Sequence, residues 1–113
     1  MHELAITKGI IDIVLDEQKK QGFERVLEIE LKIGEFSGII PECIREFFPI
    51  AAAGTPAVDA KLVTDTIPAS FTCTDCGYAG GIDRKDPRCP RCRSYGIRMT
   101  AGREFYVESI KVE

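Results

Sequence analysis

Four cysteines, Cys73, Cys76, Cys89 and Cys92, form a Cys-x2-Cys, twelve-residue, Cys-x2-Cys array, and no other feature of the chain constrains its fold as much. Each pair places two sulfurs on a single tight turn. Two such turns complete a tetrahedral S4 shell, the geometry and ligand softness that suit Zn2+. The punctuation agrees, with Cys76-Gly77 after the first pair and Asp86-Pro87 and Pro90-Arg91 around the second. The alternative is two disulfides, and spacing and context favour zinc over it. Four sulfurs saturate zinc and leave no position for water or substrate, so the site is expected to build fold and not to catalyse.

Bulk properties narrow the class. A chain of 113 residues is long enough for a small core plus a metal-stapled module. No run approaches the roughly 18 apolar residues that span a bilayer. The start, Met1-His2-Glu3, lacks the basic and apolar regions of a secretion signal, so a reducing cytoplasm is expected, with thiols free for metal. The net charge of −3 is unevenly spread. Residues 70–100 carry Arg84, Lys85, Arg88, Arg91, Arg93 and Arg98 against Asp75, Asp83 and Asp86, on an otherwise acidic chain. This basic segment reads either as a docking surface or as a solvated rim around the metal site.

From Glu3 to about Gln21 the pattern is helical. Leu4, Ile11, Val14 and Leu15 recur at helical offsets, Ile6, Ile10 and Ile13 widen the stripe, and Gly22 is a left-handed cap. Residues 25–33 read as a strand in which Leu27, Ile29, Leu31 and Ile33 share the buried face. Pro41 opens a second helix that turns Ile44, Phe47 and Phe48 inward, with a kink or early stop expected at Pro49. A second strand covers about Lys61–Ile67, and Arg103–Val112 forms a third whose imperfect alternation suggests a bulge. The fold class is therefore α+β: two helices on a small, mainly antiparallel three-stranded sheet, with an inserted zinc-ribbon-like module. Residues 1–69 and 101–113 make a discontinuous body and residues 70–100 the zinc-binding module. The strand order stays open.

His2 is the only histidine, and it adjoins the terminal amine. The Met1 α-amine, the deprotonated His2 amide and an imidazole nitrogen close fused chelate rings around one ion. The Glu3 amide or a Glu3 oxygen is available to complete the set. A planar, nitrogen-rich shell suits Ni(II) or Cu(II) and not zinc, and a reducing cytoplasm favours nickel. Cys43 on the second helix reads as core packing. Glu35 and Glu42 read as solvated carboxylates or as outer-shell groups around a metal. No nucleophile triad, phosphate loop or acid/base carboxylate pair is evident, so an enzyme is not expected.

Together these residues resemble the HypA/HybF family of hydrogenase nickel-incorporation proteins. The resemblance rests on Met1-His2-Glu3-Leu4, Leu31-Lys32-Ile33-Gly34-Glu35-Phe36-Ser37-Gly38, Pro41-Glu42, Ile67-Pro68-Ala69, the two cysteine pairs and Gly102-Arg103-Glu104-Phe105. It implies a nickel metallochaperone for NiFe-hydrogenase maturation. Nickel ligands would fall on His2 and Glu3 with the backbone nitrogens there, and zinc ligands on Cys73, Cys76, Cys89 and Cys92. Implied partners are the HypB GTPase and the hydrogenase large-subunit precursor. Some family members form homodimers or serve urease. The competing reading is a zinc-ribbon interaction module that contacts nucleic acid or protein through its basic segment. Acidic overall charge, and only Tyr78 and Tyr95 as stacking rings in the module, count against nucleic acid. A third reading is redox switching at the cysteine pairs, which zinc-saturated thiolates oppose.

Overall fold

Helix α1 (Glu3–Gln21) follows the expected stripe, burying Thr7, Ile10, Ile11 and Val14. It closes as expected at Gly22, whose φ of 75° lets its N–H reach the Gln18 carbonyl at 2.8 Å. The computed structural model describes residues 2–113, and Met1, with the α-amine expected to help hold nickel, lies outside the described residues. Ile13 departs from expectation. It is 47% exposed, because its helical position falls beside the buried stripe rather than on it.

Strand β1 (Val26–Gly34) is the centre of a three-stranded sheet ordered β2-β1-β6, where β2 is Lys61–Ile67 and β6 is Phe105–Val112. Its alternation places Ile29, Leu31 and Ile33 in the core. Leu27 is instead 43% exposed, while Val26 is buried. A bulge explains the exchange: Val26 pairs with Val112 and Glu28 with Lys111, so Leu27 is the extra residue and the alternation restarts after it. The bulge anticipated in the last strand is also present. Glu30 pairs with Ser109 and Leu31 with Val107, leaving Glu108 unmatched.

Helix α2 (Pro41–Ala52) carries the chain from β1 to β2, which pairs with β1 in parallel. Two parallel neighbours need a crossover of this length, whereas β6 runs antiparallel on the other side of β1. Pro49 neither stops α2 nor limits it, since the helix continues to Ala52. Pro49 faces solvent while Phe48 and Ala52 are buried, so the backbone bond it forgoes lies on the wet side. Ile44, Phe48 and Ala52 join Ile10, Ile11 and Val14 of α1 and the inward residues of β1 and Leu62 in one core. Phe47 is only half-buried.

Between β2 and β6 the chain builds a second sheet, ordered β4-β3-β5, from β3 (Ser70–Cys73), β4 (Ala79–Gly80) and β5 (Ile97–Ala101). Both of its pairings are antiparallel, so among the described residues three of the four pairings between named strands are. The two sheets lie in an elongated particle of 55 × 27 × 17 Å. Its Cα radius of gyration, 17.9 Å, exceeds the roughly 13 Å of a compact chain of this length.

Candidate metal centre

The cysteine pairs occupy two turns of matching design. In the first, the Cys73 amide donates to the Tyr78 carbonyl at 2.8 Å and the Gly77 amide to the Cys73 carbonyl at 3.0 Å. In the second, the Cys89 amide donates to Ser94 at 2.8 Å and the Arg93 amide to Cys89 at 2.9 Å. The fourth residue after each leading cysteine is left-handed, Gly77 at φ 77° and Arg93 at φ 65°. A left-handed arginine is uncommon. Here its guanidinium is tied to Asp86 at 2.7 Å, which also accepts from Arg88. These two arginines, Arg88 foremost, hold the Asp86 carboxyl far below the usual carboxylate range.

The turns bring all four sulfurs within 4.8 Å of one another. Cys73 Sγ lies 3.6 Å from Cys92 Sγ, and Cys76 Sγ lies 3.6 Å from Cys89 Sγ. That spacing excludes a disulfide bond, whose sulfurs sit at about 2.05 Å. It matches the edge of a tetrahedron with metal–sulfur bonds of about 2.3 Å, an edge of about 3.8 Å. Cys73 and Cys89 are buried, Cys76 is half-buried and Cys92 is exposed, so the donor set fits a closed structural ion.

The electrostatics are those of a cation site. Burial opposes charge on Cys89, but the Cys92 and Arg91 amides, 3.4 Å from its sulfur, and the neighbouring thiols Cys76 and Cys92 bring it down to about 6. At Cys92 the Ser94 amide favours the thiolate. Burial and the other thiols outweigh it and push Cys92 up to about 12. Cys89 thus favours its thiolate and Cys92 its thiol, and a divalent ion is what would let Cys92 ionise beside it.

The two sheets meet at Gly34-Glu35-Phe36. The Gly34 amide donates to Glu104, that of Glu35 to Ile67 at 2.9 Å and that of Phe36 to Gly102 at 2.7 Å. The Glu35 carboxylate accepts from the Ala69 amide at 2.8 Å and from Arg84 at 2.5 Å. Arg84 lies over the Phe36 ring, 4.5 Å from its centroid, and that ring meets Phe71 edge-on at 6.1 Å. Glu35 is thus a fastener between sheets, a role its sequence context as a loop carboxylate does not announce. Gly34 and Gly102, small residues at strand ends, are the available signal.

The Ala69 amide, and after it Arg84, holds Glu35 below the ordinary glutamate value. A depressed folded pKa stabilises the joint above the unfolded pKa, and that contribution is lost as pH falls through the folded value. Acidification through that lowered value is therefore expected to release Ala69 and Arg84. The Ala69 amide proton should titrate with Glu35 in NMR spectra, and Glu35→Gln should abolish that titration. An Ala69 resonance that stays fixed on acidification would contradict the assignment.

His2 is the exposed N-cap of α1 with φ −106° and ψ 33°, and its side chain makes no capping bond. Its carbonyl accepts the Ile6 amide at 2.9 Å. A shallow depression there is lined by His2, Leu4, Ala5 and Lys8. Glu3, half-buried, is the first helical residue. Among the described residues, the four cysteines are the one cluster of three or more His, Cys, Asp or Glu side chains arranged for a metal. The Glu35 carboxylate is engaged at the joint, by the Ala69 amide and Arg84. Cys43 is half-buried on α2, and Glu42 is exposed in its first turn. The basic segment is likewise partly spent, with Arg84 on Glu35 and Arg88 and Arg93 on Asp86.

Comparison with known proteins agrees with this layout. The family described as "Hydrogenase/urease nickel incorporation, metallochaperone, hypA" matches residues 1–112. The hydrogenase maturation factor HypA of Chlorobium luteolum is 40% identical over the whole chain and 97% of that protein. Its counterpart in Caldanaerobacter subterraneus subsp. tengcongensis is 37% identical, with both chains fully covered. The solution structure of the Ni metallochaperone HypA from Helicobacter pylori shares the fold, with a TM-score of 0.70 at 22% identity over 99% of this chain and 97% of that one. This chain therefore belongs to the HypA family of nickel metallochaperones, hydrogenase maturation factors rather than enzymes.

Proposed function

We propose that this chain binds Ni(II) at its N terminus, through the Met1 amine, His2 and Glu3, and delivers it to the NiFe-hydrogenase large-subunit precursor. The HypB GTPase is the partner in that transfer, and the cytoplasm is its setting. On this reading residues 1–69 and 101–113 form the nickel-binding body and residues 70–100 the zinc-binding module. Zinc on Cys73, Cys76, Cys89 and Cys92 supplies fold, since a saturated S4 shell offers nothing to a second metal or a substrate.

One observation carries the proposal. The torsion N–Cα–C–N at His2 is its ψ, 33°, which turns the His2 and Glu3 amide nitrogens toward the same side. A five-membered chelate ring through two successive amide nitrogens requires a small torsion of this kind. The helix does not use the His2 nitrogen in its own hydrogen-bond ladder, because the first N–H groups of a helix have no carbonyl one turn earlier to receive them. The Ile6 N–H on the His2 carbonyl is aimed at the oxygen that shares the charge of a deprotonated His2–Glu3 peptide. His2 is exposed, so its imidazole is open to join the ring system.

Release follows from the same chemistry. Protons compete with the metal for amine, amide and imidazole, so affinity falls with pH. Nickel titration of untagged protein should give one tight equivalent. His2→Ala, or residues added before Met1, should weaken it by more than the roughly 10–100-fold typical of losing an outer-shell partner. Equal affinity in all three proteins would sink the terminal site.

A further inference from the structure

Thr7 occupies a position where the packing asks for an apolar residue. It lies on the stripe that continues through Ile10, Ile11 and Val14, and its exposure is 0%. Among the described residues it is the only buried polar or charged residue outside the cysteines. Valine has nearly the same shape and would spare the cost of burying a hydroxyl. Threonine is also no better than a mediocre helix former when its hydroxyl bonds back along the helix. Core packing therefore does not account for the oxygen.

The oxygen has one partner that does account for it. Thr7 Oγ1 donates to the Glu3 carbonyl at 2.5 Å, one turn back toward the N terminus. Glu3 is the first helical residue and carries the second amide of the chelate, while the preceding carbonyl, that of His2, is held by the Ile6 amide. The first turn of a helix frays because its groups have few partners. Here both successive carbonyls are gripped from the following turn, the second by a side chain rooted in the core.

Resting on the nickel reading above, we propose that Thr7 is a positioning residue for the metal site. Its hydroxyl fixes Glu3 so that the chelating amides meet the ion already ordered, which lowers the ordering cost of binding. Thr7 itself touches no metal.

The test uses the full-length untagged chain and Ni(II) alone, measured against a competing chelator. Thr7→Val keeps the core shape and should stay folded, yet bind nickel about fivefold more weakly, the worth of one ordinary hydrogen bond. Thr7→Ser restores the donor and should bind within about twofold of wild type, by the same measure. Faster amide exchange at Leu4 and Ala5 in Thr7→Val, without nickel, should accompany the loss. Wild-type nickel affinity in Thr7→Val, or equal weakening in the serine variant, overturns the assignment. His2→Ala separates the two failures. If it weakens binding while Thr7→Val does not, only the role of Thr7 falls; if it too binds normally, the terminal site falls and Thr7 with it.

Discussion

Replacing Cys89 with serine is expected to unfold residues 70–101 while leaving the α1–β1–α2–β2–β6 core standing. Cys89 is fully buried, and its sulfur collects the two backbone amides that shape the second turn. The second sheet is small: β3 and β4 pair over two positions, and β4 is two residues long. Phe71 is the one large apolar side chain it buries. Metal ligation in sites of this kind supplies on the order of 10 kcal/mol of folding free energy, far more than this sheet can supply unaided. The main core, by contrast, draws no residue from the cysteine segment. Losing the metal turns the segment into a long loop before β6, and lengthening a loop costs little. NMR dispersion should vanish for residues 70–101 and persist for Ile10, Leu31 and Ile44, with zinc falling from one equivalent to none. Strong chelation of the wild type should reproduce the pattern. A serine variant that keeps the dispersed spectrum of the second sheet would show that sulfur ligation does not hold it.

Gly34→Ala is expected to be nearly as damaging, for a different reason. A Cβ at Gly34 would lie 2.3 Å from the Gly102 carbonyl oxygen, 2.4 Å from its carbon and 2.7 Å from the Glu104 nitrogen. All three are backbone atoms, so no side chain can swing aside. Relief requires separating β1 from the Gly102–Glu104 crossing, which breaks the bonds from the Gly34 and Phe36 amides. Overpacking typically costs about 1–3 kcal/mol, and an unyielding backbone contact places this variant at or above the upper end. Tm should fall by at least about 10 °C for a chain of this size. A melting curve within a couple of degrees of wild type, on the same scale, would refute the close approach.

Local signals served the sequence reading well where one stretch of chain decides its own structure. Helix α1 ends at the glycine that periodicity and capping indicated, and the cysteine spacing announced a cluster whose sulfurs converge. Misreadings arose where partners are distant in sequence. The exchange of Leu27 for Val26 in the core depends on pairing with β6, about eighty residues later, and a two-residue alternation cannot reveal a bulge set by its neighbour. The parallel pairing of β1 with β2 follows from α2 acting as a crossover, a property of topology and not of either strand. Arg84 looked like part of a basic surface because charge counting ignores who stands opposite. Its pairing with Glu35 joins residues forty-nine positions apart. A chelate of adjacent residues such as His2 and Glu3 needs no fold to assemble it, so the sequence alone can propose one, whereas the bond from Thr7 to the Glu3 carbonyl carries no signal in the helical pattern.

Two connections tie the sheets together, Pro68-Ala69 on the way out and Gly102-Arg103-Glu104 on the way back. They run side by side, close enough that a Cβ on Gly102 would meet Ala69 Cα at 2.8 Å. A single tether would let one lobe swivel freely, whereas a short double strap resists twisting. With Glu35 clamping across it, the 55 Å particle behaves as a lever. A protein that seizes the sulfur-bound end exerts torque on the helical end, so docking at one pole reorients the other without any rearrangement inside either.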